Sequence, residues 1–176
     1  MPDLGKNIAV RPATADDLVL ISVLASTTFY EAYFEQDGSA NLAGYIHGSF
    51  DLGTLAKELK DPASTFLLAY VDGKAVGYAR LIGGSTTDGV TGDKVVELKR
   101  LYVLERHWGS AVGRALLDRC IADSRDRGFD TIWLGVWEEN HRAQTFYAKY
   151  NFEKVGTVTF PYGDVVGTNL VLQLAL

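Results

Sequence analysis

The residues with the clearest chemical potential are Trp108, Gly109, Ser110, Ala111, Val112, Gly113 and Arg114. They follow an apolar run at 101–104 and open an amphipathic run that continues past Leu117. Small side chains in this stretch leave backbone N–H groups uncovered where a helix begins. The first turn of a helix has about four N–H donors without an internal partner. The helix dipole adds roughly half a positive charge at the same end. A strand, a small-residue loop and a helix start in that order can therefore hold phosphate groups. Two kinds of phosphate loop are excluded by spacing. A P-loop needs G-x-x-x-x-G-K-[ST], whereas Gly109 and Gly113 are too close together and no Lys-Ser/Thr follows. The dinucleotide pattern G-x-G-x-x-G is absent.

The pattern Trp108-x-x-Ala111-x-Gly113 resembles the Q/R-x-x-G-x-G/A loop of the GNAT family of N-acetyltransferases. Trp108 stands where Gln or Arg is usual, and Ala111 where the middle Gly is usual. Downstream, Asn140, Ala143, Phe146, Tyr147, Lys149, Asn151 and Phe152 are similar to the family's N-x-x-A-x-x-F-Y-x-K-x-G-F, with Asn151 in place of Gly. Two motifs in this order make the resemblance cover nearly the whole chain, from Ile8 to Leu174. It implies an α/β (α+β) GNAT fold in a single domain over 1–176. The expected sheet is mixed, mostly antiparallel, twisted and of about seven strands, with helices on both faces and a splay between strands four and five.

The resemblance also implies a reaction, acetyl transfer from acetyl-CoA to a primary amine by direct attack in a ternary complex. The diphosphate would rest on the amides of Gly109, Ser110, Ala111, Val112, Gly113 and Arg114. The pantetheine arm would pair with the backbone of Leu101, Tyr102 and Val103. Trp108 either packs on the coenzyme or shields the loop, and Arg114 either adds charge to a phosphate or is a solvated surface residue. Ala111 keeps its N–H, but denies the loop a cheap positive φ. Tyr147 is the expected general acid, because a phenol with a pKa of about 10 is protonated at neutral pH and can give its proton to the departing thiolate. Asn140 matches a coenzyme-contacting Asn, and Asn is also among the best helix N-caps. Glu97 is either the base that takes the ammonium proton or a salt-bridge partner of Lys99 or Arg100.

A closer similarity, to the PaiA-type spermidine/spermine N-acetyltransferases, lies in the run Ile132, Trp133, Leu134, Gly135, Val136, Trp137, Glu138, followed by Asn140. Thr28, Phe29 and Phe34, and Phe160 with Tyr162, Gly163 and Asp164, add to it. It implies a polyamine or other small primary amine as acceptor. A polyamine site needs carboxylates and aromatic faces, for which Phe29, Tyr33, Trp137 and Glu138 are the candidates, with Glu31 and Glu35 beside them. The aromatic cluster Phe29, Tyr30, Tyr33 and Phe34 reads equally as core packing. Two alternatives stay open: a protein N-terminal or lysine acetyltransferase, and a non-catalytic acetyl-CoA-binding regulatory module.

Composition bounds these readings. A chain of 176 residues with 47% hydrophobic content can bury a sizeable core. A net charge of -5 argues against unspecific nucleic-acid binding, which needs a basic face. His47, His107, His141 and Cys120 are scattered without ligand spacing, so no metal is expected. Cys120, as the one cysteine, excludes an internal disulfide and points to a reducing cytoplasm. Residues 1–6 hold no apolar leader, and no run approaches the roughly 20 apolar residues that span a bilayer. The expected partners are a small amine, no nucleic acid and no membrane, with a homodimer allowed.

In chain order, a strand is expected at 8–11 and a helix from 14 to about 30, opened by Thr14 and Asp17. A loop or broken helix follows over 36–50. A helix at 52–60 is stopped by Asp61 and Pro62. Strands at 65–71 and 74–83 flank the turn Asp72-Gly73, and a strand at 95–104 leads to the phosphate loop. The helix after that loop ends at Gly128. The apolar run 131–137 reads as a central parallel strand, and a helix covers 140–150. Strands at 152–159 and 165–174 are joined by a turn at 161–164.

Overall fold

Among the described residues the elements in order are β1 (Ile8–Pro12), a 3-10 turn (Ala15–Asp17), α1 (Leu18–Tyr33), α2 (Ser39–Ser49), α3 (Leu52–Lys60), β2 (Ser64–Val71), β3 (Lys74–Gly83), β4 (Val95–Val103), a second 3-10 turn (Glu105–His107), α4 (Val112–Asp126), β5 (Thr131–Trp137), α5 (His141–Ala148), β6 (Glu153–Tyr162) and β7 (Val165–Ala175). The structure, a computed structural model, describes residues 7–176. The expectation about an apolar leader at residues 1–6 lies outside the described residues.

The strands form one mixed seven-stranded sheet in the order β1-β2-β3-β4-β5-β7-β6, as the family resemblance implies. β1 pairs antiparallel with β2, β5 with β7, and β6 with β7. β4 runs parallel to β5 through Val95↔Thr131, Val96↔Ile132 and Glu97↔Trp133. β4 itself continues to Val103, and β5 to Trp137. The expectation of a parallel β5 therefore holds on its β4 side only, because β7 meets its other edge antiparallel from Thr131↔Ala175 to Trp137↔Asn169.

The described residues form two compact units, one running up to Leu81 and taking in Arg100–Cys120, the other Ile82–Lys99 with Ile121–Leu176. In the first, Ile21, Leu42, Leu55, Leu67, Leu68, Leu81, Leu116 and Leu117 are fully buried. Each such aliphatic side chain contributes about 1.5–3 kcal/mol relative to exposure. Asp17 anchors the entry to α1. Its carboxylate accepts from both terminal nitrogens of Arg11 at 2.8 Å and from the Thr14 N–H at 2.8 Å. The Arg11 guanidinium beside it holds the Asp17 carboxyl down at about 2. α3 begins where Asp51 accepts from the Thr54 N–H at 3.0 Å, and ends before Pro62, with the bounds expected.

Of the two readings for residues 36–50, the helical one holds: after a break that follows α1, an eleven-residue helix, α2, occupies most of them. Gly44 and Gly48 cost about 1 kcal/mol each against Ala in a helix. Packing outweighs that cost. Leu42 is fully buried, Phe50 is 2% exposed, and Tyr45 stacks on Phe29 with ring centroids 4.4 Å apart. The same unit holds a buried ion triad. Glu58 of α3 accepts from Arg100 through both carboxylate oxygens, at 2.6 and 3.1 Å, and pairs with Arg80 at 2.8 Å.

In the second unit, Ile132 and Val171 are fully buried and Leu134 nearly so. Asp130 holds the chain before β4, accepting from the N–H groups of Asp93 and Lys94 at 2.9 Å. Those backbone donors, Lys94 first, lower the Asp130 carboxyl below its ordinary value. Asn151 takes φ +65° between α5 and β6, as expected of an Asn replacing Gly. Pro161 is not in the closing turn. It lies within β6 opposite Val166, and the turn is at Gly163 with φ +54°. A proline is tolerated there because β6 is the edge of the sheet and its missing N–H breaks no ladder on the open side.

Candidate active site

The loop after β4 is built from short backbone turns. The His107 N–H donates to Leu104 O at 2.8 Å and the Trp108 N–H to Glu105 O at 2.9 Å. Gly109 then reverses the chain at φ +72°, with nothing within 4 Å of where a Cβ would stand. The left-handed residue of the loop is therefore Gly109. Ala111 is outside the positive-φ region, so it occupies its position without backbone strain. Within α4 the Ala115 N–H donates to Ala111 O at 2.9 Å. The amides of Val112, Gly113 and Arg114 precede that bond and lie in the turn that has no intrahelical acceptor.

The expectation of uncovered amides needs one correction. The Ser110 N–H donates to His107 O at 3.2 Å, and the Val112 N–H faces Ser110 Oγ at 3.4 Å. Ser110 Oγ itself donates to His107 O at 2.6 Å. The donors left to the helix start are chiefly those of Gly113 and Arg114, with Gly109 and Ala111 beside them. Arg114 and Ala111 are exposed, Gly113 is half-buried, and the Val112 side chain is buried.

Strand β4 turns its groups alternately to either side. The Leu104 N–H donates to Val76 O of β3 at 2.8 Å. In a strand the backbone groups of alternate residues share a side, so Tyr102 also faces β3, and Leu101 and Val103 face away from it. A Cβ on Gly77 of β3 would stand 2.8 Å from Tyr102 O, which fits that direction. Of the three residues expected to offer backbone groups, Leu101 and Val103 present them away from β3 and Tyr102 does not. The carbonyl of Val103 already has a donor, the Trp108 indole Nε1 at 2.8 Å.

The Tyr102 side chain belongs to an aromatic cluster with Phe29, Tyr33, Tyr45, Phe50 and Tyr78. The hydroxyls of Tyr33 and Tyr102 are 3.4 Å apart. Burial raises the Tyr102 phenol well above its ordinary range. Phe29 is buried and Tyr33 half-buried. Arg100 lies over Phe50 at 5.0 Å and is held by Glu58, so it is not a partner of Glu97. Glu31 accepts from the Glu105 N–H at 2.8 Å and thus caps the turn before the loop.

In the second unit, Glu97 closes the parallel ladder and is 7% exposed. Ser85 Oγ donates to its carboxylate at 2.6 Å, and Lys99 Nζ approaches at 3.4 Å. The Trp133 indole N–H donates to Ser85 O at 2.7 Å and fixes that serine. Ser85 carried no sequence signal, because it stands in a Gly-rich connection whose path depends on β5. Tyr147 of α5 is 8% exposed, with its ring edge-on to Phe146 at 5.2 Å and Phe152 at 5.5 Å. Asn140 caps α5, its side-chain oxygen accepting from the Ala143 N–H at 3.1 Å. Trp137 is half-buried and Glu138 exposed at the end of β5. Among the described residues, no three His, Cys, Asp or Glu side chains are grouped to hold a metal ion, and no helix is long and apolar enough to cross a membrane.

Comparison with known proteins agrees with this arrangement. Residues 25–152 match the model of the acetyltransferase (GNAT) family. An uncharacterized N-acetyltransferase of Mycobacterium tuberculosis is 36% identical over 149 residues, covering 85% of this chain and 89% of that protein. The crystal structure of the PaiA N-acetyltransferase of Thermoplasma acidophilum in complex with coenzyme A superposes with a TM-score of 0.76 at 19% identity, over 97% of this chain and 99% of that one. The yncA structure from Salmonella typhimurium, with its cofactor acetyl-CoA, gives a TM-score of 0.68 at 19% identity, over 97% and 94% of the two chains. The matched family model, the relative at 36% identity and the mixed seven-stranded sheet together make this chain an N-acetyltransferase of the GNAT family.

Proposed function

We propose that the chain transfers the acetyl group of acetyl-CoA to a primary amine of a small molecule, and that the acceptor is a polyamine such as spermidine or spermine. The observation that carries the coenzyme reading is the start of α4. Gly109 at φ +72° leads into a helix turn whose Gly113 and Arg114 amides have no intrahelical acceptor. Such a turn suits a diphosphate, and the Thermoplasma and Salmonella relatives of this fold bind coenzyme A and acetyl-CoA. The outward backbone groups of Leu101 and the Val103 N–H suit the amide-bearing pantetheine arm.

In the reaction the neutral amine attacks the thioester carbonyl carbon, a C–N bond forms and the C–S bond breaks. Tyr147 gives its phenolic proton to the departing thiolate and recovers one from the nitrogen that becomes the amide. Glu97, held in place by Ser85 Oγ and Lys99 Nζ, takes the ammonium proton directly or through water. Asn140 both caps α5 and contacts the coenzyme. Trp137 offers an aromatic face and Glu138 an exposed carboxylate to a cationic acceptor, while Phe29 and Tyr33 form an apolar wall. The polyamine reading rests on the sequence similarity around Trp137 and on the PaiA relative. Glu31 is withdrawn from it, since that carboxylate is engaged by the Glu105 N–H. The lone, buried Cys120 suits a reducing compartment such as the cytoplasm.

The test is thiol release from acetyl-CoA across spermidine, spermine, amino acids and peptides. Turnover with the polyamines is the expected result. Turnover restricted to peptides would transfer the acceptor role to a protein substrate. Absence of turnover with every amine, together with no binding of acetyl-CoA by calorimetry, would overturn the reading.

A further inference from the structure

Trp108 stands where the family loop has Gln or Arg, and its side chain does something specific. Its indole N–H donates to the carbonyl of Val103 at 2.8 Å. Val103 is the last residue of β4, and its backbone faces away from β3. The ring is half-buried, and the next residue is Gly109, where the loop reverses toward α4. The indole therefore ties the final outward carbonyl of the strand to the residue from which the phosphate-type loop departs.

Resting on the acetyl-CoA reading above, we propose that Trp108 is a positioning residue that sets the reach between β4 and the diphosphate-holding amides of α4. The covalent length from the thioester to the diphosphate is constant, so both ends of the coenzyme are satisfied only when that reach is held. A loop reversing through glycine is intrinsically loose. A directional bond from a rigid ring limits it.

The test compares acetyl-CoA with S-acetylpantetheine, which has the thioester and arm but no diphosphate. Trp108→Phe keeps an aromatic ring and removes the N–H. It is expected to raise KM for acetyl-CoA about fivefold, the fold-change of one neutral hydrogen bond of about 1 kcal/mol. The kcat, the KM for the amine and the KM for S-acetylpantetheine should stay at wild-type values. Replacement of Trp108 by benzothienylalanine, which exchanges the N–H for sulfur in a ring of nearly the same shape, should give the same split and serves if the Phe variant does not fold. Equal increases with both thioesters, a change confined to kcat, or no change in either variant would overturn the proposal. Failure of the wild-type protein to bind acetyl-CoA by calorimetry would instead remove the coenzyme reading itself.

Discussion

Replacing Tyr147 by Phe removes one oxygen from a ring held largely by carbon contacts. The ring is 8% exposed and meets Phe146 and Phe152 edge-on at 5.2 and 5.5 Å. Phe preserves both pairs, each of which is worth about 0.5–1.5 kcal/mol beyond area burial. Loss of the hydroxyl's own hydrogen bonding costs about 1 kcal/mol. For a chain of 176 residues that lowers Tm by roughly 2–4 °C. The chemical effect is expected to be larger. A positioned proton donor contributes about 10²–10⁴ in rate, or roughly 2.7–5.4 kcal/mol of barrier. Thiol release at saturating acetyl-CoA and amine should therefore show kcat reduced at least a hundredfold, with KM for acetyl-CoA within about threefold of wild type. A melting curve recorded on the same preparation separates the two effects. A folded variant that keeps kcat within threefold would refute the reasoning, because the thiolate would then receive its proton from another group.

Two further outcomes follow from the ion pairs of the first unit. Glu58→Gln leaves Arg80 and Arg100, which are 8% and 10% exposed at the side chain, with like charges and one neutral acceptor. Breaking a buried pair in this way costs about 3–5 kcal/mol, to be read as a fall in the urea midpoint at constant m, and a midpoint within error of wild type would contradict the triad. Asp17→Asn tests the Arg11 pair through pH. The folded-state pKa of Asp17 is lowered to about 2, below its unfolded value of about 3.9. Its stabilisation is thus present above about pH 4 and lost as pH falls toward 2. The variant should be less stable at pH 7, with a shallower loss between pH 4 and 2, and parallel acid limbs in denaturant melts would exclude the role.

Features read correctly from sequence are those whose cause is local. The bounds of α3 follow from the Asp51 cap and from Pro62, which the chain carries within or next to that helix. Asp72 and Gly73 both adopt positive φ in the turn between β2 and β3, and Asn151 does so after α5. The turn before α4 was legible as a small-residue stretch next to a helix start, but which of its amides stay uncovered was not, since those of Ser110 and Val112 are engaged within the loop. Tyr147 and Asn140 could be singled out only through their motif, since neither has a chemical signature apart from its neighbours.

Other features depend on residues far along the chain. Arg100 had Glu97 as a nearby candidate partner, yet its carboxylate is on α3, 42 residues away. The strand pleat explains the choice: Glu97 and Lys99 share one face of β4, while Arg100 points to the other. Two glycines in α2 masked a helix that exists because Leu42, Tyr45 and Phe50 find Phe29 and its neighbours. Tyr102 lost its expected backbone role through pairing with β3, and Val103 O gained an indole donor through the path of a turn. Local pattern sets which groups a segment can present, whereas the pairing of strands and the packing of distant side chains decide which direction they face and which of them are already occupied.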